Sequence, residues 1–434
     1  MIEEFSFGNM CSFKDIQTLN MKAAKIKSNN SVLDKQNVIP IKEDLSLLKS
    51  KAIYGANASG KSNVIRGLVS FIKIIRESVK DESALRFIAP YELSTETIDQ
   101  PTFFQLIFRV DDVRYRYGFE ADEKSIKSEW LFSTPSVREQ TLFIRENNKI
   151  LEISKKYFTE GIKFVSLMED FSEEAEAEGG IFRDNSLFLS SLSSFGFGKI
   201  SKKIIKEISS IAIISGLGHK GMFALAGDSL QDPDQKKFVL NFLKNADIGI
   251  QDLETIDFSN DNLPENIEED VAKTLKDRKF LLSHRTVYDK NLKKDGNATF
   301  SFLSQESEGT RKMFEISPFI YNSLKNGTTL IIDEFDSRFH PLLTKKIVEL
   351  FNSNQNPRSQ LIFTTHDTNL LSSELLRRDQ IDFVEKDKYG ASHLYTLVEI
   401  KGIRNNASFE KDYIQGKYGA IPFLGNFSNI LNFE

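Results

Sequence analysis

Hydrophobic and polar positions along the chain predict its elements in turn. Phe5 and Phe7 precede a break at Gly8-Asn9, and Phe13, Ile16 and Leu19 follow it, which predicts two short strands around a turn. Residues 21–50 are rich in Lys and Asn and are expected to loop over the surface. Lys51-Ala52-Ile53-Tyr54 reads as a short strand. Val64, Leu68, Phe71, Ile72 and Ile75 then recur at helical spacing, predicting a helix from Ser62 to about Val79. From Thr102 to about Ile153 the period becomes two. Phe104, Leu106, Phe108 and Val110, then Asp111-Asp112, then Val113, Tyr115, Tyr117 and Phe119 predict a β-hairpin with a two-residue turn. Strands around Trp130 and Phe143 extend it into an antiparallel meander.

Two polar stretches punctuate the rest. Six of the ten residues between Glu169 and Glu178 are carboxylates, and Gly179-Gly180 follows, as in a solvated linker. Residues 181–256 read as helical, with stretches such as 200–214 and 235–245. A second break, 259–270, carries Pro264 and five carboxylates. From Thr299 strands and helices alternate to the C-terminus, the pattern of a mostly parallel sheet. The expected organisation is residues 1–170, a mainly helical insertion at 171–283, and residues 284–434.

Composition narrows the class. Of the 434 residues, 40% are hydrophobic and 27% charged, which excludes wholesale disorder. The net charge of −5 argues against a globally basic nucleic-acid coat but leaves room for a local basic surface. A single cysteine, Cys11, excludes an internal disulfide and a Cys-rich zinc site. The N-terminus is acidic without an apolar core behind it, and no apolar run approaches a membrane span. The expectation is a cytoplasmic protein with no membrane partner.

Gly55-Ala56-Asn57-Ala58-Ser59-Gly60-Lys61-Ser62 fits G-x-x-x-x-G-K-[ST], between a strand and a helix. Glycines let backbone N–H groups curl around phosphate oxygens, and the helix presents its positive end to the same charge. Asn57, Ala58, Ser59, Gly60, Lys61 and Ser62 are therefore nucleotide-binding candidates, with Lys61 for the β- and γ-phosphates and the Ser62 hydroxyl for Mg²⁺. Thr329-Leu330-Ile331-Ile332-Asp333-Glu334 is an apolar strand ending in two carboxylates at the ligand edge of a parallel sheet. Asp333 is assigned to the Mg²⁺ shell and Glu334 to polarising the attacking water. Leu361 to Thr365 is another apolar strand, and His366 at its end is placed to meet the γ-phosphate. Ser307, Gly309 and Thr310 open a helix expected near Lys312, with Ser307 as its N-cap, which makes a further anion site. The alternative there is an ordinary helix cap.

Together these residues resemble the ABC-type ATPases, with phosphate loop, Ser-x-Gly signature, Asp-Glu strand end, Asp336-Ser337 loop and strand-end His366 in their usual order. They are most similar to the AAA15-type (RloA-like, abortive-infection-like) ATPases of prokaryotic defence loci. Asn9 with Ser12-Phe13, Asn57 to Ser62, Glu306 to Thr310, Asp333 to Pro341 and Tyr418 to Pro422 carry that resemblance. It implies an α/β fold: an ABC/SMC-like P-loop ATPase head with an antiparallel β-meander lobe and an inserted helical subdomain. It also implies ATP and Mg²⁺ as cofactors and Phe13 as a further nucleotide contact. Cys11 stands where the family usually has Arg, and Lys14 is the candidate to replace that cation. Gln105 is not assigned as a metal ligand, because its alternation marks it as a sheet residue.

The resemblance implies an ATPase that switches on ATP binding and governs a separately encoded effector, a nuclease or toxin-like protein, in antiviral defence. Nucleic acid or a phage protein is the implied trigger. The implied assembly is a homodimer or higher oligomer in which heads share ATP across their interface. A DNA-maintenance ATPase of the SMC, Rad50 or RecF kind is the alternative. The 248 positions from Lys61 to Gly309 are too many for a compact transporter head and too few for long coiled-coil arms. His284-Arg285 is read as structural.

Overall fold

Val110 and Val113 face each other across the turn expected at Asp111-Asp112, and both aspartates take positive φ, 44° and 66°. That geometry matches the twist of the flanking strands, Thr102–Val110 and Val113–Ala121. The computed structural model describes residues 1–170, 183–196, 198–217, 220–246, 248–257, 279–404 and 407–422. The acidic run after Asp170 and the polar break at 259–270 lie outside the described residues.

The hairpin is the centre of a seven-stranded antiparallel sheet. Its order is Lys149–Ile153, Gln140–Glu146, Ile126–Thr134, Val113–Ala121, Thr102–Val110, Ile2–Gly8, Gln17–Asn20. The inner face buries Phe5, Phe104, Tyr117 and Phe119 completely, and Phe71 from the helix Lys61–Glu77 packs among them. Phe71 stacks on Phe119 at 5.6 Å and meets Phe104 at 6.1 Å. Burying one such ring stabilises by roughly 2–3 kcal/mol, so the helix that follows the phosphate loop is fixed to the meander. A second anchor is electrostatic. Glu129, fully buried, accepts from the N–H groups of Phe188 (2.7 Å) and Leu189 (3.0 Å), from the Tyr117 hydroxyl (2.9 Å) and from Arg145. Burial pushes its carboxyl pKa up, and Arg145 with the N–H donors pulls it back. The side chain thereby caps the helix Phe188–Ser194 from the sheet.

The second sheet has six strands in the order Ala212–Ser215, Thr329–Asp333, Gln360–Thr364, Ser50–Gly55, Ile381–Lys386, Ser392–Thr396. The four strands from Thr329–Asp333 to Ile381–Lys386 run parallel, and Ser392–Thr396 is antiparallel. Every residue of Ser50–Gly55 is buried, as expected for a central parallel strand. Lys51 lies in that strand and pairs with Asp382 at 3.0 Å while donating to the Asp379 carbonyl at 2.6 Å. Burial raises the Asp382 pKa, and Lys51 opposes the rise. The pair joins the phosphate-loop strand to its neighbour.

Three local expectations change, one being that Asp252–Asp257, within the stretch read as helical, is a strand. Residues 21–50 are not simply a loop: Val38–Lys42 and Leu45–Leu48 form a hairpin whose Ile39 and Leu47 pack with Met1. The helix expected over 200–214 ends at Ser209, and Ala212–Ser215 is a strand. The β-branched run Ile211-Ala212-Ile213-Ile214 favours that outcome.

The chain divides into two compact units: Met1–Ile213 with Gly327–Glu334 and Ile347–Glu434, and Ile214–Asn326 with Phe335–Lys346. The second contains an antiparallel sheet, Asp252–Asp257, Lys279–Tyr288 and Lys294–Ser301, and the helices Lys220–Ser229, Pro233–Asn245 and Glu308–Asn326. Leu243, Leu253, Phe302, Met313 and Phe314 lie in its own core. Among the described residues no helix is long and apolar enough to cross a membrane.

Candidate functional site

The strand Ser50–Gly55 hands the chain to a tight loop that ends at Gly60, immediately before the helix Lys61–Glu77. Gly60 has φ 114°, and a Cβ there would lie 2.6 Å from Ser392 Oγ and 2.7 Å from Ser12 Oγ. Only glycine fits. The Lys61 ammonium donates to the carbonyls of Gly55 (2.8 Å) and Ala56 (2.9 Å), so it lies over the loop. Serines hold the loop from outside. Ser392 Oγ is 2.6 Å from the Ser59 carbonyl and 2.8 Å from Ser12 Oγ, and Asn63 Nδ2 donates to Ser12 Oγ at 2.8 Å.

Parallel pairing aligns the ends of three strands at this edge, with Ile332 opposite Phe363 and Thr364 opposite Ile53. Asp333 Oδ1 receives the Thr364 hydroxyl at 2.5 Å and the Ser62 hydroxyl at 3.2 Å. The next residue, Glu334, has φ 53°, and its N–H donates to Thr364 Oγ1 at 2.7 Å. A strained backbone of this kind persists where its surroundings fix it, often at functional sites. Asn57 to Asn63, Glu334, His366 and Lys386 line one open cavity of about 560 Å³. The structure thus brings together Asn57, Ala58, Ser59, Gly60, Lys61, Ser62, Glu334 and His366, with Asp333 joined through Ser62.

Phe13 does not belong to this wall. It is wholly buried, edge-on to Phe7 at 4.9 Å, and its apolar ring completes the core beneath the loop. Its neighbour Ser12 bonds Asn63 and Ser392 instead. Lys14 turns away to Glu96 at 2.8 Å, while the Arg66 guanidinium lies 4.0 Å from the Cys11 sulfur. Burial raises the Cys11 thiol pKa. Gln105 accepts from Trp130 Nε1 and Arg116 within the meander, as a sheet residue. Sequence reading missed Thr364, Ser392 and Lys386. Strand pairing carries Lys386 there: Val384 pairs with Gly55, so the residue two beyond it lies at the same sheet edge.

In the second unit the signature helix begins at Glu308, four residues before the expected Lys312. Ser307 Oγ accepts the Thr310 N–H at 3.1 Å, the N-cap bond expected of it. Glu306 is buried and accepts from Ser283 (2.7 Å) and Arg285 (2.6 Å), tying the signature to the strand Lys279–Tyr288. His284 engages Glu254 and Thr299 across the sheet, a structural role. A Cβ on Gly309 would meet nothing closer than 3.5 Å, so its own unit does not require glycine there. Among the described residues no three His, Cys, Asp or Glu side chains converge on a metal position.

Several solved structures are similar in course. An Smc head bound to the C-terminal winged-helix domain of ScpA aligns at 11% identity, covering 91% of this chain and 97% of that one, with TM-score 0.45. The SMC head of Thermotoga maritima aligns at 10% identity, 91% and 98% coverage and TM-score 0.39. A Pyrococcus furiosus Smc head with an extended coiled coil, bound to the C-terminal domain of ScpA, gives 12%, 96% and 98%, and 0.41. At those scores the likeness carries no argument. No curated protein matches the chain. The phosphate loop at the edge of a parallel sheet, the antiparallel meander beside it and a family match give the fold class, an α/β P-loop ATPase head with an antiparallel meander lobe. That match covers residues 52–178 and 222–372, more than half of the sequence, and the chain belongs to the family described as "AAA domain, putative AbiEii toxin, Type IV TA system".

Proposed function

We propose that the cavity over the phosphate loop binds ATP with Mg²⁺ and hydrolyses it. One observation carries the reading: the Ser62 hydroxyl and the Asp333 carboxylate meet at 3.2 Å beside the cavity lined by Lys61, Glu334 and His366. One carboxylate and one hydroxyl suit Mg²⁺, which keeps its other positions for water and phosphate oxygens. When bound, the ion would neutralise charge on the β- and γ-phosphates. The loop N–H groups and Lys61 cradle the phosphates, Glu334 orients and polarises the attacking water, and His366 contacts the γ-phosphate. Glu334→Gln keeps the shape of the side chain without its basicity. It is expected to retain ATP while hydrolysis falls by about 10²–10⁴-fold; hydrolysis at the wild-type rate would remove Glu334 from this role.

The active assembly in this reading holds two heads, with Ser307, Gly309 and Thr310 of one completing the ATP site of the other. The support is chemical. The capped N-terminus of Glu308–Asn326 offers backbone donors, and Gly309 keeps that end bare although its own unit has room for a side chain. The family's description names a toxin of a type IV toxin–antitoxin system. That description is in keeping with a role in defence, and we propose further that the chain is a cytoplasmic AAA15-type sensor ATPase controlling a separate nuclease or toxin-like effector, triggered by nucleic acid or a phage protein. Phage challenge of cells carrying the wild-type locus or its Lys61→Ala form tests the role. Equal protection by the two would contradict it.

A further inference from the structure

Far along the chain from the phosphate loop, a second open cavity of about 550 Å³ is lined by Lys401, Arg404, Lys411, Asp412, Lys417 and Tyr418 together with Gln415 and small or apolar residues. It shares no lining residue with the ATP cavity. Four cationic side chains face a single carboxylate, and that carboxylate is already engaged. Asp412 accepts from Lys417 at 2.5 Å and from the Tyr418 hydroxyl at 3.2 Å. Lys401, Arg404 and Lys411 are exposed and make no ion pair with any described residue.

Like charges sharing a concave surface repel one another, and the cost falls when an anion occupies the space between them. The chain as a whole carries −5, so this positive field is local. Tyr418 is buried with its hydroxyl committed, which leaves the cavity without an exposed aromatic platform for stacking bases. Cations on flexible stems, without a stacking surface, match a repeating phosphate charge rather than a particular base.

We propose that this basic cavity binds the phosphodiester backbone of a nucleic acid through Lys401, Arg404 and Lys411, independently of sequence and of the ATP site. Three phosphate contacts to a single strand correspond to a slope of log affinity against log salt of about −2.

The test is fluorescence anisotropy of the full chain with a labelled deoxythymidine oligonucleotide of about 20 nucleotides, titrated at several salt concentrations. The wild type is expected to bind with that slope. Lys401→Gln/Arg404→Gln/Lys411→Gln is expected to bind at least tenfold more weakly at low salt and to flatten the slope, with thermal melting and ATP affinity unchanged. Lys61→Ala is expected to keep full oligonucleotide affinity, which separates this site from the ATP reading. The proposal is overturned if the triple variant binds within twofold of wild type. A triple variant that loses binding only together with its thermal transition also overturns it. So does a wild type that binds inorganic tripolyphosphate through these residues but no oligonucleotide.

Discussion

Thr364 donates its hydroxyl to Asp333 at 2.5 Å, and the same oxygen accepts the N–H of Glu334 at 2.7 Å. One side chain on the neighbouring strand therefore aims the carboxylate proposed for Mg²⁺ and fixes the backbone that carries the one proposed for the attacking water. A hydrogen bond to a charged group contributes about 1.5–3 kcal/mol. Thr364→Val keeps the shape and removes the bond, so the Mg²⁺ concentration for half-maximal hydrolysis should rise about tenfold or more. Thr364→Ser should restore it. An unchanged Mg²⁺ titration in the valine variant would show that Asp333 needs no such partner.

Gly60 sits where a methyl group would press on Ser392 and Ser12, at φ 114°. Holding a side chain there costs on the order of 1–3 kcal/mol in backbone strain alone. Gly60→Ala should lower the melting temperature and weaken ATP binding together, read by calorimetry and a nucleotide titration. Normal stability with normal affinity would mean that the loop relaxes at no cost.

The sequence made the repetitive and chemical features readable. The Asp111-Asp112 turn, the meander and the phosphate loop rest on period, turn chemistry and a motif, all local. What escaped depends on distant partners. Thr364 and Ser392 act only because strand pairing carries the one to Asp333 and the other to the phosphate loop, and no spacing in the chain announces that. The resemblance points Phe13 to the nucleotide, yet an aromatic residue beside a buried Phe7 lowers its free energy by completing the core. The hairpin Val38–Lys42 and Leu45–Leu48 was hidden because its strands are short and interrupted by Pro40 and Lys42. The buried pairing of Glu306 with Arg285 likewise joins residues that no local spacing connects.

The shared-site assembly makes a mixing prediction. Ser307→Arg should leave ATP binding largely intact and block hydrolysis, because a bulky side chain would enter the neighbour's site. An equimolar mixture with Lys61→Ala should regain partial hydrolysis, since each mixed pair keeps one sound loop facing one sound signature. A mixture as inactive as either parent, with subunit exchange shown by labelled chains, would contradict the arrangement. So would a monomer that hydrolyses ATP at the full rate.

The central claim is that Lys61 and its loop hold the phosphates of ATP. Lys61 is 6% exposed, so a contact between its ammonium and a phosphate would be largely shielded from water. Losing such a charged contact typically costs about 2–5 kcal/mol, a weakening of about 30-fold or more. Calorimetric titration of Mg²⁺-ATP into the wild type and into Lys61→Ala measures it directly. Saturable binding by the wild type and a loss of at least that size in the variant are expected; undiminished affinity in Lys61→Ala would contradict the account.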